Sequence, residues 1–177
     1  MKQNRENPFF ETYRTPFGTP PFDQIETEQY EPAFDEGIWQ LDEEVRAIAD
    51  NTELPTFENT IIALERSGKL LDKVISAFFN VLNAEADDEM MDISQRVSPK
   101  LSESSNNIYL NEQLFARVKS VYDRKDELHL PMEDARLLEK TFEAFCARGA
   151  ALGPEEKEKY RKLSSELSLL SLTFDQN

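Results

Sequence analysis

Residues 55–85 read PTFENTIIALERSGKLLDKVISAFFNVLNAE, and this run decides the fold class. Pro55 and Thr56 stop whatever precedes them and offer a new N-cap. From there Phe57, Ile61, Leu64, Leu71, Ile75, Phe78 and Leu82 recur at the spacing of one face of an α-helix, with none of the alternation of a strand. The spacing predicts one long helix over 57–85. Gly68 falls in the gap between Leu64 and Leu71, where glycine costs about 1 kcal/mol relative to alanine and marks either a close helix crossing or a break.

The same period extends in both directions. Upstream, Pro32 suits a first helical turn, and Phe34, Ile38, Leu41, Val45 and Ile48 form one stripe to about Asn51, with Trp39 off it. Before that helix, residues 1–25 carry Pro8, Pro16, Pro20 and Pro21 among Phe9, Phe10, Tyr13, Phe17 and Phe22. The prolines forbid a regular helix and the rings are too apolar for a solvated linker, so this is an extended arm that must dock on something.

Downstream, Asp87 and Asp88 cap a helix carrying Met90, Ile93, Val97 and Leu101 over 88–107, and Pro99 should bend it. Asn111 is the next N-cap, flanked by the staple pair Leu110 and Phe115. Its helix should reach Lys125 with Leu114, Val118 and Val121 inward, while Arg117, Lys119, Arg124 and Lys125 lie toward its negative end. Pro131 opens a fifth helix at its first position, with Glu133 and Asp134 in the first turn and Leu138, Phe142 and Phe145 on one side. Gly149 or Gly153 ends it. From Pro154 a sixth helix bears Tyr160, Leu163, Leu167, Leu170 and Phe174 as a seam of the coiled-coil kind. Six helices with short connectors and no repeat predict an all-α protein, an antiparallel helical bundle: an arm over 1–25 and one helical domain over 26–177.

The 177 residues carry a formal net charge of −15. That charge excludes partners with anionic backbones, so neither nucleic acid nor an anionic membrane is expected. No stretch of about 18 apolar residues exists to span a bilayer, and the first ten residues have no apolar run of signal length. A cytoplasmic protein is expected, or a periplasmic one if a signal segment was removed. Cys146, the single cysteine, lies beside Phe142 and Phe145 and is expected in the core.

A hydrolytic zinc site needs three protein ligands and an activating carboxylate. This chain has one histidine, His129, in a connector, with no second histidine one turn away. Nucleophilic triads fail on the same shortage, and the five glycines make no phosphate cradle. The carboxylate pairs Asp42 with Glu43 and Asp87 with Asp88 are expected on solvated faces. The residues therefore assign no catalytic, cofactor-binding or metal site: each set is none.

Local sequence adds what the pattern lacks. NPFFETYRTPFGTPPFDQI (7–25), YEPAFDEGI (30–38), PTFENTIIALERSGKLLDKV (55–74) and SAFFNVLNAEADDEM (76–90) resemble the opening of the thimet oligopeptidase family of zinc metallopeptidases, in its peptidyl-dipeptidase Dcp and oligopeptidase A branch. SPKLSESSNNIYLNEQLFARVKSVYD (98–123), RLLEKTFEAFCARGAAL (136–152) and ELSLLSLTFDQN (166–177) continue it in collinear order. The resemblance implies a much longer, wholly helical enzyme with a channel between two halves and one zinc held by H-E-x-x-H and a later Glu. Such an enzyme cuts short peptides, and the Dcp kind releases C-terminal dipeptides. No catalytic or metal motif of the family falls within 1–177, so this stretch would be channel wall, with short peptides and the remainder of the parent enzyme as its partners. On that expectation the chain alone binds no zinc and cleaves nothing. Two other classes stand beside it: a stand-alone helical protein-interaction domain, and a small unrelated helical enzyme, for which one His and one Cys leave little stock.

Overall fold

The computed structural model describes residues 7–85 and 87–175, with every side chain among them except those at positions 85, 169 and 172–175. All regular structure among the described residues is helical. The helices are α1 (Tyr30–Ala49), α2 (Ala63–Arg66), α3 (Lys69–Glu85), α4 (Asp88–Tyr109), α5 (Glu112–Tyr122), α6 (Met132–Ala147) and α7 (Pro154–Asp175). A π-helical turn, Phe57–Ile62, leads directly into α2, and short 3₁₀ turns punctuate the arm. The all-α class expected from the periodicity is the class observed.

The long helix expected over 57–85 is broken. Its first turns are wound as a π-helix, Ser67 is extended, and Gly68 takes a φ of +76° before α3 begins. Gly68 thus marks a break, because only glycine adopts that left-handed backbone without strain. The close crossing belongs to another glycine. A Cβ added at Gly37 would lie 3.0 Å from the Leu71 Cα and 3.1 Å from its nitrogen, so α1 and α3 meet there backbone to backbone.

Other boundaries shift by a turn or less. The chain turns helical before Pro32: a 3₁₀ turn at Thr27–Gln29, closed by a reciprocal Glu26–Gln29 capping box, runs straight into α1 at Tyr30. Pro131 serves as the N-cap of α6 and Met132 as its first residue. α5 ends at Tyr122, with turns carrying the chain to His129. α4 passes through Pro99 as one element, and the Asp87 carboxylate accepts a bond of 2.8 Å from the Met90 amide at its start.

The chain divides into two compact units. The first comprises residues up to 41 together with 68–100, and the second comprises 42–67 and 101 onward. The first is organised around aromatic rings: Phe9 meets Tyr30 at 5.3 Å, and Tyr30 and Phe34 both meet Phe78 edge-on near 5 Å. Leu71, Val74, Met90, Ile93 and Val97 are buried with them. The arm therefore docks as expected, through Phe9, which is fully buried. Its tip does the opposite: Phe17 is wholly exposed at a φ of +61°, a strained backbone for a bulky side chain.

In the second unit Ile61, Leu114, Val118, Val121, Leu138 and Phe145 are buried. The Asn111 cap is in place, its side-chain oxygen accepting from the Leu114 amide at 2.9 Å. Two expected core residues are not core. Cys146 is exposed on α6, one position past the buried Phe145, because the inward stripe of that helix runs through Leu138 and Phe145. Phe142 is half-buried, its ring stacked 3.9 Å from that of Tyr122.

Candidate functional site

Among the described residues, side chains tie separate backbone segments together in each unit. In the second unit the centre is the PTFENT segment. Thr56 caps the π-turn, its hydroxyl accepting from the Asn59 amide at 3.0 Å, while the Asn59 side chain accepts from the Thr56 amide at 2.8 Å. This reciprocal box leaves the Asn59 oxygen facing α5. There Arg117, 7% exposed, donates to the carbonyls of Asn51 at 2.6 Å and Glu53 at 3.0 Å, to Asn59 Oδ1 at 3.0 Å and to Thr60 Oγ1 at 3.4 Å. Seven residues on, Arg124 donates to the Pro55 carbonyl at 2.6 Å. Arg117 on α5 and Arg124 in the turn just past its end thus clamp the loop 51–56 and the π-turn that follows that loop.

The acceptors that hold the Arg117 head are neutral: its two terminal nitrogens are met by carbonyl, amide and hydroxyl dipoles, while Nε is buried with no partner among the described residues. Planar and forked, the guanidinium reaches four acceptors that no single ammonium could span. Its chemistry is that of a tie between segments.

In the first unit Lys73 plays the corresponding part. Its ammonium donates to the Phe9 carbonyl at 2.8 Å and the Glu11 carbonyl at 2.7 Å, and it lies 3.6 Å from the centre of the Tyr13 ring. Desolvation lowers its pKa below the usual lysine value, and the nearby Glu11 carboxylate partly opposes that. Tyr13 is pushed up to about 12, chiefly by desolvation and then by Tyr30. Asn7 adds a second tie, donating to the Gln29 carbonyl at 2.8 Å. Beside this clasp lies an open groove of about 690 Å³ between the arm, α1 and α3. Lys73, which lines it, is engaged on two carbonyls and a ring.

On α1, Glu31 and Asp35 face α4. Glu31 accepts from Arg96 at 2.9 Å and lies 3.5 Å from Lys100, and Asp35 accepts from Lys100 at 2.6 Å. Burial pushes the Glu31 carboxyl up, but the bonds and charges of Arg96 and Lys100 together outweigh it and hold it below the ordinary value.

His129 is exposed in the turn before α6 at a φ of +47°. Asp42 is half-buried and accepts from Ser104 Oγ at 3.1 Å, whereas Glu43 is exposed and paired with Arg46. Asp87 caps α4, and Asp88 beside it is exposed in that helix's first turn. Among the described residues no three His, Cys, Asp or Glu side chains gather as a group that could hold a metal. The zinc that the resemblance implies therefore has no fitting ligand set among them. The tying residues Arg117, Arg124 and Lys73 were not singled out in the sequence as functional. A signal existed for one: Arg117 lies three residues after Leu114 and beside Val118, on the buried row of α5.

No family model matches the chain. Among curated proteins, the dipeptidyl carboxypeptidase of Escherichia coli (strain K12) is 43% identical over 170 residues, 96% of this chain and 25% of that protein. The dipeptidyl carboxypeptidase of Salmonella typhimurium is 39% identical over the same shares. Oligopeptidase A of Escherichia coli is 23% identical over 92% of this chain and 24% of its own length. The chain spans about a quarter of the length of the curated relatives it matches. Over that quarter the chain is similar to the dipeptidyl carboxypeptidases and, more distantly, to the oligopeptidases A.

Proposed function

We propose that these residues form part of the helical wall of a zinc metallopeptidase of the dipeptidyl carboxypeptidase kind, which removes C-terminal dipeptides from short peptides in an enclosed channel. Within that enzyme the chain supplies enclosure and support, and the zinc and the groups that activate water lie in other sequence. No residue of 1–177 is assigned a catalytic or metal-binding part. The arm over 1–25 and the helices over 26–177 act as one supporting region, and the enzyme works in the cytoplasm on peptides rather than on nucleic acid or membranes. Enclosing walls of this kind exclude water and folded substrates without a reactive group of their own.

The observation that carries this reading is the 43% identity to a dipeptidyl carboxypeptidase over 170 collinear residues. It is supported by side chains such as Arg117 and Lys73, whose hydrogen bonds hold backbone segments together. Two results test it. The purified chain, dialysed after incubation with zinc, is expected to retain none stoichiometrically and to leave a peptide substrate intact, and the coding sequence beyond Asn177 is expected to continue into H-E-x-x-H. Chelator-sensitive dipeptide release by the chain alone, or a stop codon directly after Asn177, would overturn the proposal; the stop codon would favour the stand-alone interaction domain.

A further inference from the structure

The last helix of the second unit, α7, presents leucines to water and polar groups to its neighbours. α7 meets its neighbours through polar groups: Lys157 donates to Glu112 of α5 at 3.1 Å, Arg161 to Asn107 of α4 at 2.9 Å, and Ser164 accepts from Asn106 of α4 at 2.8 Å. Lys157 is only 8% exposed. On the other side Leu163, Leu167 and Leu170 are 65%, 64% and 66% exposed. Their spacing of four and three stacks them in one row. They belong to the seam expected from the sequence; Tyr160 is half-buried at its start, and Phe174 lies outside the described side chains. An amphipathic helix that buries a lysine and presents three leucines in line is built for a further layer.

Two occupants fit such a row: a second copy, or additional polypeptide of the same enzyme. The row offers on the order of 300 Å² per copy, whereas a stable interface needs about 800 Å² per partner. Two copies would also bring together two net charges of −15. Packing against polypeptide in the same chain incurs no loss of translational freedom, so a small patch suffices. The relatives supply the length, since about three quarters of each lies outside the region matched here.

We infer that the Leu163, Leu167 and Leu170 row of α7 is the docking surface for a helix of the region that follows the matched quarter in the dipeptidyl carboxypeptidases, an inference that rests on the function proposed above. The occupant is an amphipathic helix whose apolar face covers the row.

The test compares the chain by itself with a chimera in which residues 1–177 replace the matching quarter of the Escherichia coli dipeptidyl carboxypeptidase. Amide hydrogen exchange at 163–170 is expected to slow at least tenfold in the chimera, and Leu167→Glu should return it to the rate of the isolated chain. Leu54→Glu, at a site 80% exposed elsewhere in the second unit, should change neither. In the isolated chain Leu167→Glu should leave the denaturation midpoint in place. Loss of soluble chimera with that substitution alone is the same result in stronger form. Equal exchange at the row in both proteins overturns the inference, as does a dimer of the isolated chain that Leu167→Glu dissolves. A protected row in a chimera without peptidase activity sinks the functional proposal and leaves the docking surface standing; an active chimera with an unprotected row does the reverse.

Discussion

Replacing Arg117 by methionine should cost the second unit about 2 to 4 kcal/mol, and the structure says where that energy lies. The guanidinium makes four bonds, at 2.6 to 3.4 Å, to groups of the 51–60 segment. Bonds from a charged donor contribute about 1.5 to 3 kcal/mol each, but two of the acceptors recover part of that from water. Glu53 is exposed and Asn51 half-buried, so their carbonyls rehydrate, while Thr60, fully buried, is left worse off. Removing a desolvated charge offsets some of the loss, and the methionine stem keeps the packing of the arginine stem. Urea denaturation followed by helical circular dichroism, with hydrogen exchange at 51–62, measures the result. Arg46→Met is the control: that side chain is 63% exposed and paired with Glu43 one turn away, so its loss should stay within about 0.5 kcal/mol. Arg117→Lys should fall between, since one ammonium cannot reach four acceptors. Equal midpoints for Arg117→Met and Arg46→Met would refute the clamp.

Three further outcomes follow from named positions. Gly37→Ala should destabilise the first unit by about 1 to 2 kcal/mol, because the new Cβ meets the Leu71 backbone at 3.0 Å and that clash outweighs the gain in helix propensity; a rise in the thermal midpoint would contradict the close crossing. Phe17→Gly should raise stability by up to about 1 kcal/mol by relieving a φ of +61° at a ring that packs on nothing, and a fall of that size would show a hidden contact. Glu31 has a folded pKa below its unfolded value, so its contribution is present above the usual carboxylate range and lost as pH falls through the folded value. The stability difference between wild type and Glu31→Gln should therefore be at most about 1 kcal/mol at pH 7 and vanish at strongly acid pH, given partial exposure; a difference unchanged down to pH 3 would contradict the pairing with Arg96 and Lys100.

The helices were legible because their stripes are long: seven apolar positions over 57–82 outvote any competing pattern. The break inside that run was not, since one glycine in a periodic stretch is compatible with a crossing or a break, and the choice depends on what Leu41 and Leu71 do nearby. Cys146 was misplaced because adjacency to Phe145 along the chain is a rotation of about 100° around a helix, enough to carry it from the buried face to water. The arm's docking could be anticipated from its rings, but Phe17 and Phe9 look alike in sequence and only tertiary context separates the buried anchor from the exposed tip. The ties of Arg117, Arg124 and Lys73 escaped because each ends at least partly on backbone carbonyls, which every residue has and no motif records. The absence of paired histidines was plain from the composition.

The function proposed for residues 1–177 is to supply the wall, and none of the chemistry, of a dipeptidyl carboxypeptidase. The most direct test is the steady-state release of C-terminal dipeptides by the chimera carrying them in place of the matching quarter of the Escherichia coli enzyme. The account predicts chelator-sensitive release with kcat/KM within about tenfold of the parent, since a repositioned wall perturbs binding geometry but leaves the reacting groups in place. A folded chimera that retains zinc yet releases no dipeptide would contradict it.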